Sequence, residues 1–408
     1  MIKQEKHSLT NRSRQIETPR PIGWLYKTNG QPLRLTGPLE VLVKFSDTIS
    51  IPFKAGAEQH LTGENKKFWE LLIAKYGDDI RLVPAFSGVS PSAIRSLVKR
   101  ALKINPNLQD ANLLNFYVVA KKNSLEAKKL LLDLEKWPAV DKAFIELPTH
   151  LATGCVNASD PRVLCQGYLE PAPKGVDARH AWSQLDICEP NDGPGNGQDF
   201  VDIEEDWPIS MAGTQLELVD DSTNPCVRPN GGDATHGANV LRIVCGSDTS
   251  PGGIGIVPRL QKVKLVSSLC RGGARHAILP AAMALTKRGI MLIEVQIGTP
   301  FLPVEANYAS FMAIQVCVVA QETICIEPAG NGKLDLDDII QFGEAIFDRS
   351  VRDSGALLVG ASRANGNHYQ PWPETNKGSI VDSFAWGEKV YAYAADIGGP
   401  SSACPNSF

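Results

Sequence analysis

Asp233-Ala-Thr-His-Gly-Ala-Asn-Val-Leu-Arg-Ile-Val-Cys-Gly246 is the stretch from which the rest of the chain is read. A histidine is followed at once by glycine and then by a short amphipathic run. Ala238, Leu241 and Val244 recur at helical spacing, and Gly246 suits the residue that closes a helix. The pattern predicts a helix with His236 at its loop-to-helix junction. Gly237 leaves room for another segment to come close to the imidazole. A neutral imidazole so placed serves as a general base near pH 7. On its own, His236-Gly237 reads as a helix start without chemistry; partners elsewhere in the chain change the weighting.

Those partners come in order. Upstream, Gln198-Asp-Phe-Val-Asp-Ile-Glu-Glu-Asp-Trp207 holds a short apolar strand with Asp202 near its carboxyl end, where open α/β sheets keep catalytic groups. Downstream, the apolar run Thr323-Ile-Cys-Ile326 leads into Glu327-Pro-Ala-Gly-Asn-Gly332. An asparagine between glycines at a strand exit can aim its amide at a developing negative charge. Last comes Gly398-Gly-Pro-Ser-Ser-Ala-Cys-Pro405. The order is Asp202, His236, Asn331, Ser401, and Asp…His…Ser is the chain order of subtilisin.

Blocks as well as single residues carry this resemblance. Asp202-Ile-Glu-Glu-Asp-Trp207, Thr235-His-Gly237 and Ala329-Gly-Asn-Gly332 resemble the aspartate, histidine and oxyanion blocks of the subtilisin-like serine peptidases, the S8 family. Thr375-Asn-Lys-Gly378, with Val381 to Glu388, resembles the region before the nucleophile. Gly399-Pro-Ser-Ser-Ala-Cys-Pro405 resembles the nucleophile block, with Ser401 as the attacking serine. The likeness runs from about Gln166 to the last residue. Departures are Ala238 for the family's threonine, Arg242 and Asp206 for glycines, Pro328 for alanine, and Pro400 for threonine. Only Ser402-Ala-Cys-Pro-Asn-Ser-Phe408 follows Ser401, where the family has a long buried helix. The expectation is a C-terminally truncated peptidase domain with an impaired serine.

The resemblance implies a serine-type endopeptidase with an Asp202, His236, Ser401 triad and Asn331 as oxyanion donor. Gln296, Ile297 and Gly298 would line the substrate pocket. Neither metal nor organic cofactor is required. The competing reading is a silent relative that only binds peptides. A nucleotide-binding oxidoreductase, suggested by Gly252-Gly-Ile-Gly255, ranks last because that stretch opens no βαβ unit.

Composition agrees with a globular protein: hydrophobic residues are 43% and charged residues 21% of 408, enough chain for two or three domains. The formal net charge of −4 offers no footprint for nucleic acid. No apolar run approaches the ~20 residues of a membrane-spanning helix. Met1-Ile-Lys-Gln-Glu-Lys-His-Ser8 is polar, so no secretory signal is visible; the chain reads as cytoplasmic as it stands, or secreted with its true start missing. The nine cysteines include no Cys-x-x-Cys. Cys245, Cys317 and Cys325 read as buried thiols, while Cys155, Cys165, Cys188 and Cys226 lie in loop-like sequence.

Residues 1–36 read as a flexible arm. Residues 37–148 carry their own pattern. Strands are expected at Leu39 to Phe45, Ile80 to Phe86, Leu113 to Ala120 and Val140 to Leu147. Helices are expected at Asn65 to Tyr76, Ser90 to Lys103 and Ser124 to Trp137. This is a small ferredoxin-like α/β module. Its position resembles that of the propeptide of subtilisin-like peptidases, which implies an intramolecular inhibitor. Residues 149–165 are a linker, and 166–408 the peptidase-like domain. There Val263 to Ser268, Ile290 to Gln296, Thr323 to Ile326 and Ala356 to Ser362 are near-continuous apolar runs, as in strands buried on both faces of a parallel sheet. Ala277 to Lys287, Glu305 to Gln321 and Asp338 to Phe347 are read as the helices between them, giving a doubly wound α/β fold. His180 is read as a surface helix residue, and Asp335, Asp337 and Asp338 as loop and cap residues.

Overall fold

The computed structural model of the chain describes residues 25–31, 39–78, 80–120, 124–151, 166–184, 198–207, 214–219, 234–246, 254–269, 273–364, 370–390 and 392. Ser401, Asn191 to Gly197, Gly252-Gly253, the four loop cysteines and most of the N-terminal arm lie outside these residues. Within the arm, Tyr26–Lys27 is a strand, β1.

The small module builds first. Its elements are β2 (Glu40–Phe45), α1 (Gly63–Tyr76), β3 (Arg81–Pro84), α2 (Pro91–Ile104), β4 (Phe116–Ala120), α3 (Ser124–Leu134) and β5 (Val140–Glu146). The four strands pair antiparallel in the order β3-β4-β2-β5. Period-two alternation divides β2 between two cores. Val41 and Val43 face Trp69, Leu72, Leu130 and Trp137 of α1, α3 and the turn after α3. Leu42 faces the opposite way, with Phe116 and Phe144, into the core of the large body. Ser90 caps α2, its Oγ accepting from the amide of Ala93 at 3.3 Å with Pro91 next in line. The expected strand from Leu113 starts later, because Leu113–Asn115 is a 3₁₀ turn.

After the module come β6 (Thr149–Leu151), α4 (Ala178–Gln184), β7 (Phe200–Glu204), β8 (Gln215–Leu218), α5 (Ala234–Cys245), β9 (Lys262–Ser267), α6 (Ala274–Ala284) and β10 (Ile290–Ile293). They are followed by β11 (Val295–Ile297), α7 (Tyr308–Gln321), β12 (Ile324–Pro328), β13 (Ile339–Gln341), β14 (Glu344–Ala345), β15 (Leu357–Ser362) and β16 (Val381–Trp386). Seven strands form one sheet in the order β16-β15-β12-β10-β7-β9-β8, and every pairing in it is parallel. α6 and α7 cover one face through Val201, Ile203, Met291, Ile293, Cys325 and Leu358. α5 covers the other through Leu241 and Cys245 against Phe200, Leu265 and Leu292. This is the doubly wound α/β fold that the apolar runs predict. α7 is apolar almost all round because it lies between the large sheet and α2 of the small module.

Two expectations need correction. The run from Ile290 to Gln296 breaks at Glu294: β10 stays in the large sheet, while β11 leaves it to pair antiparallel with β6. Asp338 to Phe347 is not a helix. Leu336–Asp338 is a 3₁₀ turn, and β13 and β14 form a hairpin whose other edge takes β1. The reason is local, since Phe342 and Gly343 both have positive φ (55° and 80°), the two-residue turn that matches strand twist.

Candidate active site

β7 is buried along its whole length, so its carboxylates have few partners to choose from. Alternation sends Asp202 and Glu204 to the same face as Phe200, the face that α5 covers. Strand order reverses here: β9 lies on one side of β7 and β10, β12, β15 and β16 on the other. Such a reversal opens a crevice at the carboxyl ends of the strands. The exit is stitched by two backbone bonds, Ser268 N to Glu204 O at 2.6 Å and Glu294 N to Ile203 O at 3.0 Å.

α5 delivers His236 from its first turn. The ring is buried, and Nδ1 lies 2.6 Å from Glu204 Oε1, itself wholly buried. Trp207 Nε1 donates to Asp202 Oδ2 at 2.7 Å, and Asp206 Oδ1 accepts from the Trp207 amide at 2.8 Å. Gly237 makes this closeness possible. A Cβ there would stand 2.2 Å from the carbonyl oxygen of Asp206 and 2.9 Å from Cδ1 of Trp207. Burial pushes the Asp202 carboxyl up to about 7, against the opposing pull of the Trp207 bond and of His236. Glu294 is pushed up to about 8 by burial and by the charge of Glu204, with His236 opposing. One imidazole thus stands among three carboxyl groups. Sequence reasoning finds Asp202 and His236, and both are here, but the direct contact to Nδ1 is made by Glu204. The signal for it was in the sequence, since a carboxylate two residues along a strand shares a face with the first.

Asn331 lies at the exit of β12, as its spacing predicts. Its backbone N–H donates to Gln296 Oε1 at 2.8 Å. The surrounding loop is held by Asn376, whose importance the sequence does not reveal. Asn376 Nδ2 donates to Ala329 O (2.7 Å) and Phe301 O (2.8 Å), and Oδ1 accepts from the amides of Gly332 (3.0 Å) and Leu334 (2.9 Å). Gly330 (φ 91°) makes the turn, and a Cβ there would stand 2.8 Å from Asn376 Nδ2. A cavity of about 270 Å³ opens beside this loop, lined by Glu294, Asn331, Trp372 and Trp386 among others.

Gln296, Ile297 and Gly298, expected at a substrate pocket, lie against the chain's own backbone. Val295, Gln296 and Ile297 pair with Leu151, His150 and Thr149, and the Gly298 amide donates to Pro148 O at 2.8 Å. Asn307 fixes the approach, with Oδ1 accepting from Leu147 N at 2.9 Å and Nδ2 donating to Leu147 O at 3.1 Å. Glu305 does not line the cavity. It is buried near Glu327 and accepts a short hydrogen bond from Ser354 Oγ. The aspartates after the loop are turn and tie residues: Asp335 Oδ1 accepts from Asp337 N, Asp337 Oδ1 from the amide and hydroxyl of Ser379, and Asp338 Oδ1 from Thr28 Oγ1. Cys245, Cys317 and Cys325 are buried free thiols, and His180 is exposed on α4. No helix among the described residues is long and apolar enough to cross a membrane.

No family model and no curated protein matches the chain. Solved structures to which it is similar include a mutant of the protease domain of PatA, at 18% identity and TM-score 0.34 over 46% of this chain and 64% of that one. It is also similar to fervidolysin from Fervidobacterium pennivorans, a keratinolytic enzyme related to subtilisin, at 13% identity and TM-score 0.40 over 72% of this chain and 45% of that one. Similarity to the serine protease MycP1 is at 16% identity and TM-score 0.38, over 59% and 71%. The chain spans less than two thirds of the first two.

Proposed function

We propose that the chain is a serine peptidase of the subtilisin type, hydrolysing peptide bonds in extended substrates. The observation that carries this reading is the contact between His236 Nδ1 and a buried carboxylate at the carboxyl end of an interior parallel strand. An imidazole held this way through one nitrogen is set to accept and return a proton through the other. Ser401 Oγ would attack the scissile carbonyl and give its proton to His236, which then protonates the leaving amine. Water reverses the sequence to release the acyl group. Asn331 would donate to the tetrahedral oxyanion; such a donor is worth about 10²–10³ in rate in subtilisin itself.

The edge of β11 supports the substrate side of the reading. An extended peptide gains affinity by adding a strand to such an edge. Here the edge carries β6, the segment that leaves the small module. The small module would therefore act as the chain's own inhibitor, holding 149–151 where a substrate strand would lie. The experiment is hydrolysis of a quenched fluorogenic peptide library by the full chain, before and after limited proteolysis in the 152–165 segment. Turnover that rises on nicking and falls by about 10⁴ or more in His236→Ala is expected, since such groups act as a unit. A folded, nicked protein that binds peptides but cleaves none would leave the silent, peptide-binding alternative.

A further inference from the structure

We infer that Glu204, not Asp202, is the residue that positions the His236 imidazole. The inference rests on reading His236 as the base and goes beyond it, because the sequence pattern assigns that task to Asp202. Three observations carry it. Glu204 Oε1 stands 2.6 Å from Nδ1, slightly shorter than the ~2.7–2.9 Å of a charge-assisted N–H···O bond, with both side chains buried. Asp202 lies two residues further back along β7, about 7 Å from the exit by strand rise, and its Oδ2 accepts from Trp207 Nε1 at 2.7 Å. The packing leaves little slack for another pairing. Gly237 sits against the Asp206 carbonyl and the Trp207 ring, and the Glu204 carbonyl is bonded to Ser268 N, so neither α5 nor the strand end can slide.

The chemistry follows from the contact. A carboxylate at Nδ1 keeps the proton on that nitrogen and presents Nε2 to the nucleophile. It also stabilises the imidazolium formed when the nucleophile's proton arrives. Asp202 lies behind it, its Oδ2 held by Trp207, and is coupled to the ring electrostatically. Titratable groups that act on the ring include Glu204 and Asp202 from β7 and Glu294, which follows β10. The proton balance of the site therefore involves all three.

The test reads the ring directly. Nitrogen-15 and proton NMR of the full chain, labelled at histidine, reports the tautomer, the Nδ1 proton and the His236 titration. The expected result is a far-downfield Nδ1 proton in the parent and in Asp202→Asn, absent in Glu204→Gln, where the ring becomes a mixture of tautomers. In the peptidase assay Glu204→Gln should lower kcat by about 10³–10⁴ with little change in KM, the cost of a wrong tautomer. Asp202→Asn should lose less. Glu204→Asp keeps the charge but withdraws it by about one bond length of 1.5 Å, so it serves where the glutamine variant does not fold. It should broaden the Nδ1 signal and shift the acid limb of the rate profile. An Nδ1 proton that persists in Glu204→Gln or in an unchanged Glu204→Asp spectrum, or that disappears in Asp202→Asn, overturns the inference. The two readings fail separately: the expected spectra without turnover would remove the peptidase reading and leave Glu204 as the positioning residue.

Discussion

Gly237 sets how closely the imidazole can approach its carboxylates. Gly237→Ala would drive a Cβ into the Asp206 carbonyl, with contact at 2.2 Å against backbone that is itself tied down. The expected cost is about 1–3 kcal/mol by overpacking, read as a shift in the denaturation midpoint together with loss of the His236 Nδ1 signal. Asn376→Ala removes both acceptor and donor from the asparagine loop. Leaving those loop amides and carbonyls unpaired should cost about 1–3 kcal/mol, and hydrolysis should suffer more than stability. The acid cluster gives a pH dependence. Asp202 and Glu294 titrate at about 7 and about 8 in the fold, above ordinary carboxyl values, so folding favours their neutral forms. Their stabilisation is complete below about pH 4 and lost as pH rises through those values. The thermal midpoint should fall from about pH 5 to pH 9, and Asp202→Asn or Glu294→Gln should flatten the fall. At this scale the sequence shows His236 at a helix start and Asn331 at a strand exit, each beside a glycine, but its pattern points to Asp202 where the ring contact is made by Glu204. Alternation puts Glu204 on the face of Asp202, but which of the two meets the ring, like the role of Asn376, depends on which neighbour wins a contact in three dimensions.

Among the elements, the strands of the large sheet were legible because burial on both faces leaves unbroken apolar runs. The hairpin after the asparagine loop was not. Ile339, Ile340, Ile346 and Phe347 fit a helical stripe as well as a strand, and only the left-handed Phe342-Gly343 turn decides between them. The split of Ile290 to Gln296 was hidden for a related reason: Glu294 interrupts an apolar run at the point where the backbone leaves one sheet for another. That departure gives β11 an edge, and the edge is where β6 lies. Asn307 supports β6 through the backbone of Leu147. Asn307→Ala should therefore loosen 147–151, seen as faster hydrogen exchange at those amides and greater turnover of peptide in the un-nicked chain. Unchanged exchange with unchanged turnover would mean that β6 is held by its strand pairing alone.

The whole molecule joins two sheets through a shared core. Leu42, Phe116 and Phe144 of the small module lie in the same cluster as α6 and α7, and Phe144 meets the Tyr308 ring edge-on at 5.5 Å. The sequence shows the module as an independent pattern; its continuity with the body is invisible there, because one strand face looks the same whether water or another core covers it. Fully buried Arg275 adds an electrostatic tie. It bonds Ala85 O at 2.9 Å and Glu40 at 3.1 Å, and it contacts Glu146. Arg275→Ala leaves the buried Glu146 carboxylate without that charge. A loss of about 3–5 kcal/mol is expected, with the module separating more readily from the body after nicking, as measured by gel filtration. The most direct measurement for the peptidase itself is labelling with a serine-directed fluorophosphonate, before and after cleavage in 152–165. Labelling that stays weak, as an impaired Ser401 implies, yet accelerates on cleavage and vanishes in Ser401→Ala and His236→Ala is the expected result. Labelling that is equal in the parent and Ser401→Ala, or absent from a folded and cleaved parent, would contradict it.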